Sequence, residues 1–172
     1  GTRLHEVLAW RVSRLRGEEL PALTLTRDET AWVDMVLDLH PWLAGFVSEV
    51  AYAWDHQTGR ARCLGRNLGR GYVTGAAEVA GTADYVTAGP TNGDVLEVVD
   101  LKTGQYVTPP AENAQLALLA VAAAGWHESS TVRVGILHAP MGRVPTMTWA
   151  ELGPLELLSA QTRIREVLER IE

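Results

Sequence analysis

Cysteine is nearly absent from this chain: Cys63 stands alone among 172 residues. An internal disulfide and a cysteine-ligated cluster both need partners that Cys63 does not have. Long apolar runs are missing as well. No stretch approaches the ~20 residues that span a bilayer, and no secretory leader is visible, so a cytoplasmic protein without a membrane partner is expected. Positive charge is not in excess either. The formal net charge of −6 argues against tight non-specific binding of nucleic acid by the whole surface, while leaving room for a local basic groove. Repeats, low-complexity tracts and linkers are lacking too. What remains is one domain over residues 1–172, long enough for a full hydrophobic core, with the 47% hydrophobic and 21% charged content of an ordinary globular protein.

Helical and strand patterns alternate along it. Leu4, Leu8, Val12 and Leu15 fall at helical spacing, which predicts a helix over residues 2–16 stopped by Gly17. Thr26 and Glu29 have the spacing of a capping box, with Trp32, Val36 and Leu39 on one face behind them and Pro41 as the stop. From residue 46 to 54 the period changes to two, and a turn at His56-Gln57-Thr58-Gly59 leads into a strand over 61–64. A strand over 83–87, the turn Gly89-Pro90-Thr91-Asn92-Gly93-Asp94 and a strand over 95–101 form an expected antiparallel hairpin. Residues 113–124 read as a buried helix ending at Gly125, and 131–138 as a β-branched strand. Residues 154–171 read as an amphipathic helix opened by Pro154, with Leu155, Leu158, Ile164, Val167 and Leu168 as its apolar set. The expected fold class is α/β or α+β, a mixed central sheet flanked by helices.

The chemistry concentrates at Val98-Val99-Asp100-Leu101-Lys102-Thr103-Gly104. Residues i and i+2 of a strand point to one face, so Asp100 and Lys102 project together. A charged pair at the end of a buried strand is costly to desolvate without compensation. A divalent cation and a phosphate would supply it. A second carboxylate, Asp84, stands upstream in Gly81-Thr82-Ala83-Asp84.

Taken in order, these residues resemble a family. Gly1-Thr2-Arg3-Leu4-His5-Glu6-Val7-Leu8 is similar to the histidine-bearing helix that opens RecB-like nuclease domains. Glu49 sits where such domains often carry an acidic residue. Gly81-Thr82-Ala83-Asp84 resembles their first metal-binding aspartate motif, Val99-Asp100-Leu101-Lys102-Thr103-Gly104 their Asp-x-Lys motif, and Asn113-Ala114-Gln115-Leu116 the glutamine helix that follows. The chain is thereby identified as a member of the PD-(D/E)XK superfamily, RecB-like branch, over residues 1 to about 138. The resemblance implies a restriction-endonuclease-like core. Two departures stand out. Leu118 and Leu119 occupy the stretch where many RecB-like domains have a tyrosine, and the cysteine tetrad of the iron–sulfur members is missing.

What the resemblance implies agrees with the residue types. Phosphodiester hydrolysis needs an activated water and a place for developing negative charge. Asp84 and Asp100 are hard oxygen ligands suited to Mg²⁺ or Mn²⁺, and the Leu101 carbonyl is the third ligand the family implies. His5 would add a nitrogen ligand and favour Mn²⁺. Lys102 would orient the water or stabilise charge on the phosphate. Gln115 would hydrogen-bond the site or hold the phosphate, and Glu49 would bind a second ion or fix a metal-bound water. Arg60, Arg62, Arg66 and Arg70 form a basic stretch that reads either as a nucleic-acid groove or as a solvated hairpin. His40, His56, His127 and His138 have no motif around them and read as structural.

The expected function is a metal-dependent deoxyribonuclease, an exonuclease by preference, acting on DNA in repair, recombination or phage and mobile-element processing. Its expected partners are DNA and a helicase, another recombination protein or a larger parent chain. The competing expectation is a module that keeps the fold for DNA binding or scaffolding and has lost turnover.

Overall fold

The computed structural model describes residues 2–68, 71–87 and 95–171. The turn expected at 89–94 lies outside the described residues, as do Gly1 and Arg70. Two helices come first, α1 (Thr2–Leu15) and α2 (Arg27–Leu39), then a 3₁₀ turn at Pro41–Gly45. Strands β1 (Phe46–Asp55), β2 (Ala61–Arg66), β3 (Glu78–Thr87) and β4 (Leu96–Lys102) follow. Helix α3 (Ala114–His127), strands β5 (Val132–His138) and β6 (Thr146–Leu152), and helix α4 (Pro154–Leu168) complete the chain.

The strands make one six-stranded sheet in the order β2-β1-β3-β4-β5-β6. Every neighbouring pair is antiparallel except β4–β5. That parallel pair needs a crossover, and α3 supplies it. Helices cover both faces. On β4, Leu96 and Val98 join Leu116, Leu119 and Ala160 in one core, while Val99 and Leu101 join Val7, Leu8, Trp32 and Val36 in the other. Strand alternation thus sorts α3 and α4 to one face and α1 and α2 to the opposite one. No described helix is long and apolar enough to cross a membrane.

Local signals fix much of this. Thr26 accepts the Glu29 N–H and the Glu29 carboxylate accepts the Thr26 N–H, so the expected capping box opens α2. Gly17 takes φ +82 just beyond α1, the left-handed stop that glycine adopts readily.

Four expectations need correction. Helix α3 runs through Gly125 to His127; a Cβ at Gly125 would stand 2.9 Å from Ala61 Cβ, so this glycine serves close helix–sheet packing and is not a stop. Strand β3 begins at Glu78, five residues ahead of the expected start, because β1 pairs with it as far as Asp55↔Glu78. Strand β6 was not expected; it is completed by pairing with β5 from Val132↔Leu152 to His138↔Thr146. On α4 the buried residues are Leu157 and Ala160, whereas Leu155, Leu158 and Val167 of the expected apolar set are exposed.

Candidate active site

The alternation of β1 slips at Glu49. Val47 packs against the α3–α4 core, yet so do Val50, Tyr52 and Trp54, three residues and more beyond it. Strict period two would send Val50 to the other face. The same slip occurs on β3: Ala83 and Val86 both belong to the α3–α4 core while Tyr85 belongs to the α1–α2 core. The two slips match. Register holds through Ser48↔Tyr85 and Val50↔Ala83, which places Glu49 opposite Asp84 at the point where both strands turn over. Glu49 absorbs the turn with φ +54. A left-handed conformation is uncommon for a residue that is neither Gly, Asn nor Asp, and holding it costs about 1–3 kcal/mol.

On the other side of β3, pairing with β4 runs through Val86↔Val98 and Tyr85↔Val99 among the described residues. The next pair in register would be Asp84 and Asp100. Here a side chain replaces the ladder: Asp84 Oδ2 accepts the Leu101 N–H at 2.6 Å. Glu49, Asp84 and Asp100 therefore stand at one level across three adjacent strands, where the sheet is locally open.

Two basic side chains of the protein meet these carboxylates. His5, projecting from α1, places Nδ1 3.3 Å from Asp84 Oδ1. Lys102 places Nζ 2.7 Å from Asp100 Oδ2, as the i, i+2 spacing on β4 predicts, and donates to Gln115 Oε1 of α3 at 3.5 Å. The Asp100 side chain is 3% exposed and that of Lys102 34%, so the carboxylate is the buried member and the ammonium reaches solvent.

The electrostatics follow. Burial, then the charge of Asp84, pushes the Asp100 carboxyl above its ordinary value, against the pull of Lys102 and His5. Burial and Asp84 likewise raise Glu49, with His5 opposing. At His5 burial disfavours the imidazolium, but the hydrogen bond to Asp84 and the charges of Asp84, Asp100 and Glu49 outweigh it, and its pKa is raised. Tyr85, next to Asp84 and wholly buried, is pushed well up by burial and by the Asp84 and Glu49 charges.

The structure thus brings together His5, Glu49, Asp84, Asp100, Lys102 and Gln115, with Leu101 contributing its backbone. The donor set is hard oxygen plus one imidazole, which suits Mg²⁺ or Mn²⁺. Among the described residues no three His, Cys, Asp or Glu side chains converge as a ready metal cage; His5 and Lys102 lie against the carboxylates instead.

The basic stretch behaves differently. Arg62 is held by Glu78 at 2.7 Å. Arg66 is held by Glu18 through both terminal nitrogens, at 3.1 and 3.2 Å. Arg60 is exposed, and Arg70 lies outside the described residues. Sequence reasoning did not anticipate the Glu18–Arg66 pair, which spans 48 positions and has no local signal. Three of the histidines read as structural have such roles: His127 Nε2 lies 3.0 Å from the Tyr52 hydroxyl, His138 Nε2 donates to Gly104 O at 2.7 Å, and His40 caps α2 through its backbone.

Comparison with known proteins adds one finding. A family described as "Protein of unknown function (DUF2800)" matches residues 3–148. No curated protein and no solved structure matches.

Proposed function

We propose that this chain, which belongs to that family of unknown function, is a metal-dependent DNA phosphodiesterase with the restriction-endonuclease-like core of PD-(D/E)XK nucleases. The observation that carries the reading is the meeting of Asp84 and Asp100 where β3 and β4 part, with Lys102 on one carboxylate and His5 on the other. Mg²⁺ or Mn²⁺ bound there would acidify a water and neutralise phosphate charge.

The chain's own residues would do the following. Asp84 and Asp100 hold the ion, joined by the Leu101 carbonyl and His5. Asp84, fixed by the Leu101 N–H, is preoriented for this. Lys102 pivots from Asp100 to the scissile phosphate or the attacking water, and Gln115 steadies its ammonium. Glu49 orients a second water or ion opposite Asp84. Arg60, exposed and outside the Arg62–Glu78 and Arg66–Glu18 pairs, meets the DNA backbone, and DNA is the partner. A helicase or other recombination protein is the further partner consistent with a net acidic chain.

A second reading is favoured by a specific observation. Lys102 pairs with Asp100 and His5 lies against Asp84 without any metal, so the fold could persist as a DNA-binding or scaffold module without turnover. The test is direct. The protein is incubated with Mg²⁺ or Mn²⁺ and end-labelled linear or closed-circular DNA. Breakdown that needs the metal supports the nuclease; attack on the circle identifies an endonuclease, and attack on the linear form alone an exonuclease. Binding without breakdown supports the scaffold.

A further inference from the structure

The left-handed turn at Glu49 needs something to hold it, and the β2 edge supplies two contacts. Arg66 donates from Nε to the Ser48 carbonyl at 3.1 Å, and the Asn67 N–H donates to the Glu49 carbonyl at 3.0 Å. The carbonyls on either side of the Glu49 φ, ψ pair are thereby both pinned by residues 66 and 67. Arg66 is itself fixed: Glu18 grips both terminal nitrogens, a two-point geometry that lysine cannot reproduce. The neighbouring Ser48 hydroxyl is buried against Ser13 at 2.9 Å, so the residue before Glu49 is tied to α1 as well. Strand β2 is shaped for this reach. Its register against β1 shifts between Ala51 and Tyr52, and Gly65, with φ +128, turns the strand before Arg66.

We propose that Arg66 is a positioning residue: the Glu18–Arg66 pair holds the Glu49 backbone in its turned conformation and so keeps the Glu49 carboxylate facing Asp84. This rests on the nuclease reading for its consequence, but not for its local geometry. It also assigns Arg66 away from direct DNA contact, since its charge is met by the Glu18 carboxylate and three of its five N–H donors are committed to Glu18 and the Ser48 carbonyl.

Three measurements on Arg66→Ala and Glu18→Gln test it, with Arg66→Lys as the milder variant should either fail to fold by circular dichroism. The first is hydrogen exchange at the Asn67 amide, whose partner is the Glu49 carbonyl. Exchange faster by tenfold or more, with the Ala53 and Asp55 amides unchanged, is expected; wild-type exchange at Asn67 overturns the proposal. The second is calorimetric titration with Mn²⁺ alone. Affinity should fall about 10–100-fold, the range for residues that orient a ligand, and the fall in Glu49→Gln and in the double variant should be no larger than in the singles. Additive losses, or wild-type affinity despite a loosened turn, overturn it. The third is cleavage of linear DNA, where kcat should drop with KM unchanged. A raised KM and a salt slope reduced by about one mark a phosphate contact and overturn it. If the wild type neither binds Mn²⁺ nor cuts DNA, the nuclease reading falls by itself, and hydrogen exchange alone decides whether Arg66 holds the turn.

Discussion

Asp84 accepts the Leu101 N–H through its side chain, at 2.6 Å, at the level where a backbone carbonyl would complete the β3–β4 ladder. One carboxylate thus ends the strand pairing and opens the sheet at Asp100. Its second oxygen faces His5, so Asp84 has a structural role and, under the proposed function, a metal-binding one.

Those two roles separate by substitution. Asp84→Ala leaves the buried Leu101 N–H without an acceptor and should cost about 1–3 kcal/mol in urea unfolding. Asp84→Asn keeps an acceptor of the same shape and should cost clearly less, yet lose Mn²⁺ binding. Equal destabilisation by both would show that the Leu101 contact contributes little.

Asp100 should show the opposite sign. Its carboxyl is raised by burial and by Asp84, so ionising it opposes folding, and stability contributed by its protonated form drains away as pH rises from about 3.8 through the raised value. Without added metal, Asp100→Asn should therefore melt above the wild type at pH 7 and level with it near pH 3. Millimolar Mn²⁺ should raise the melting temperature of the wild type and not of the variant. A variant less stable at pH 7 would contradict the assignment.

Glu29 carries the acid sensitivity of the α1–α2 corner. The Arg3 hydrogen bond, then the Thr26 N–H, holds its carboxyl at about 2, below the ordinary 4.5. This stabilisation is complete above pH 4.5 and is lost as pH falls toward 2. The stability gap between wild type and Glu29→Gln, read by urea unfolding, should be wider at pH 7 than at pH 3. An unchanged gap would mean that the cap, and not the charge, does the stabilising.

Gly135 is a packing constraint of the sheet itself. A Cβ there would lie 2.6 Å from the Trp149 ring and against the Met147 methyl. Trp149 cannot easily yield, since Arg133 covers it at 4.6 Å and Trp42 packs at 5.6 Å. Gly135→Ala should cost about 1–3 kcal/mol, measurable as a lower urea midpoint at unchanged slope.

What was legible in the sequence was what acts locally. The capping box needs only Thr26 and Glu29; the Asp100–Lys102 pair needs only strand period two. Gly125 was misread because its reason, the approach of Ala61, is tertiary. Strand β6 was missed because Thr146 to Leu152 gains its pairing from β5. The alternation of β1 reads cleanly through Glu49 in the sequence, and the slip there is set by the neighbouring strands, β3 on one side and Arg66 of β2 on the other. The resemblance to RecB-like motifs made His5, Asp84 and Gln115 candidates; their convergence required the fold.

The most direct test of the account is Lys102→Ala, assayed for linear-DNA cleavage and Mn²⁺ affinity in parallel. Lys102 shares a face with Asp100 but, as a cation, cannot ligate a metal. The account predicts that Mn²⁺ affinity largely survives while cleavage falls by about 10²–10³. Cleavage at the wild-type rate would show that the Asp100–Lys102 pair is not an active site.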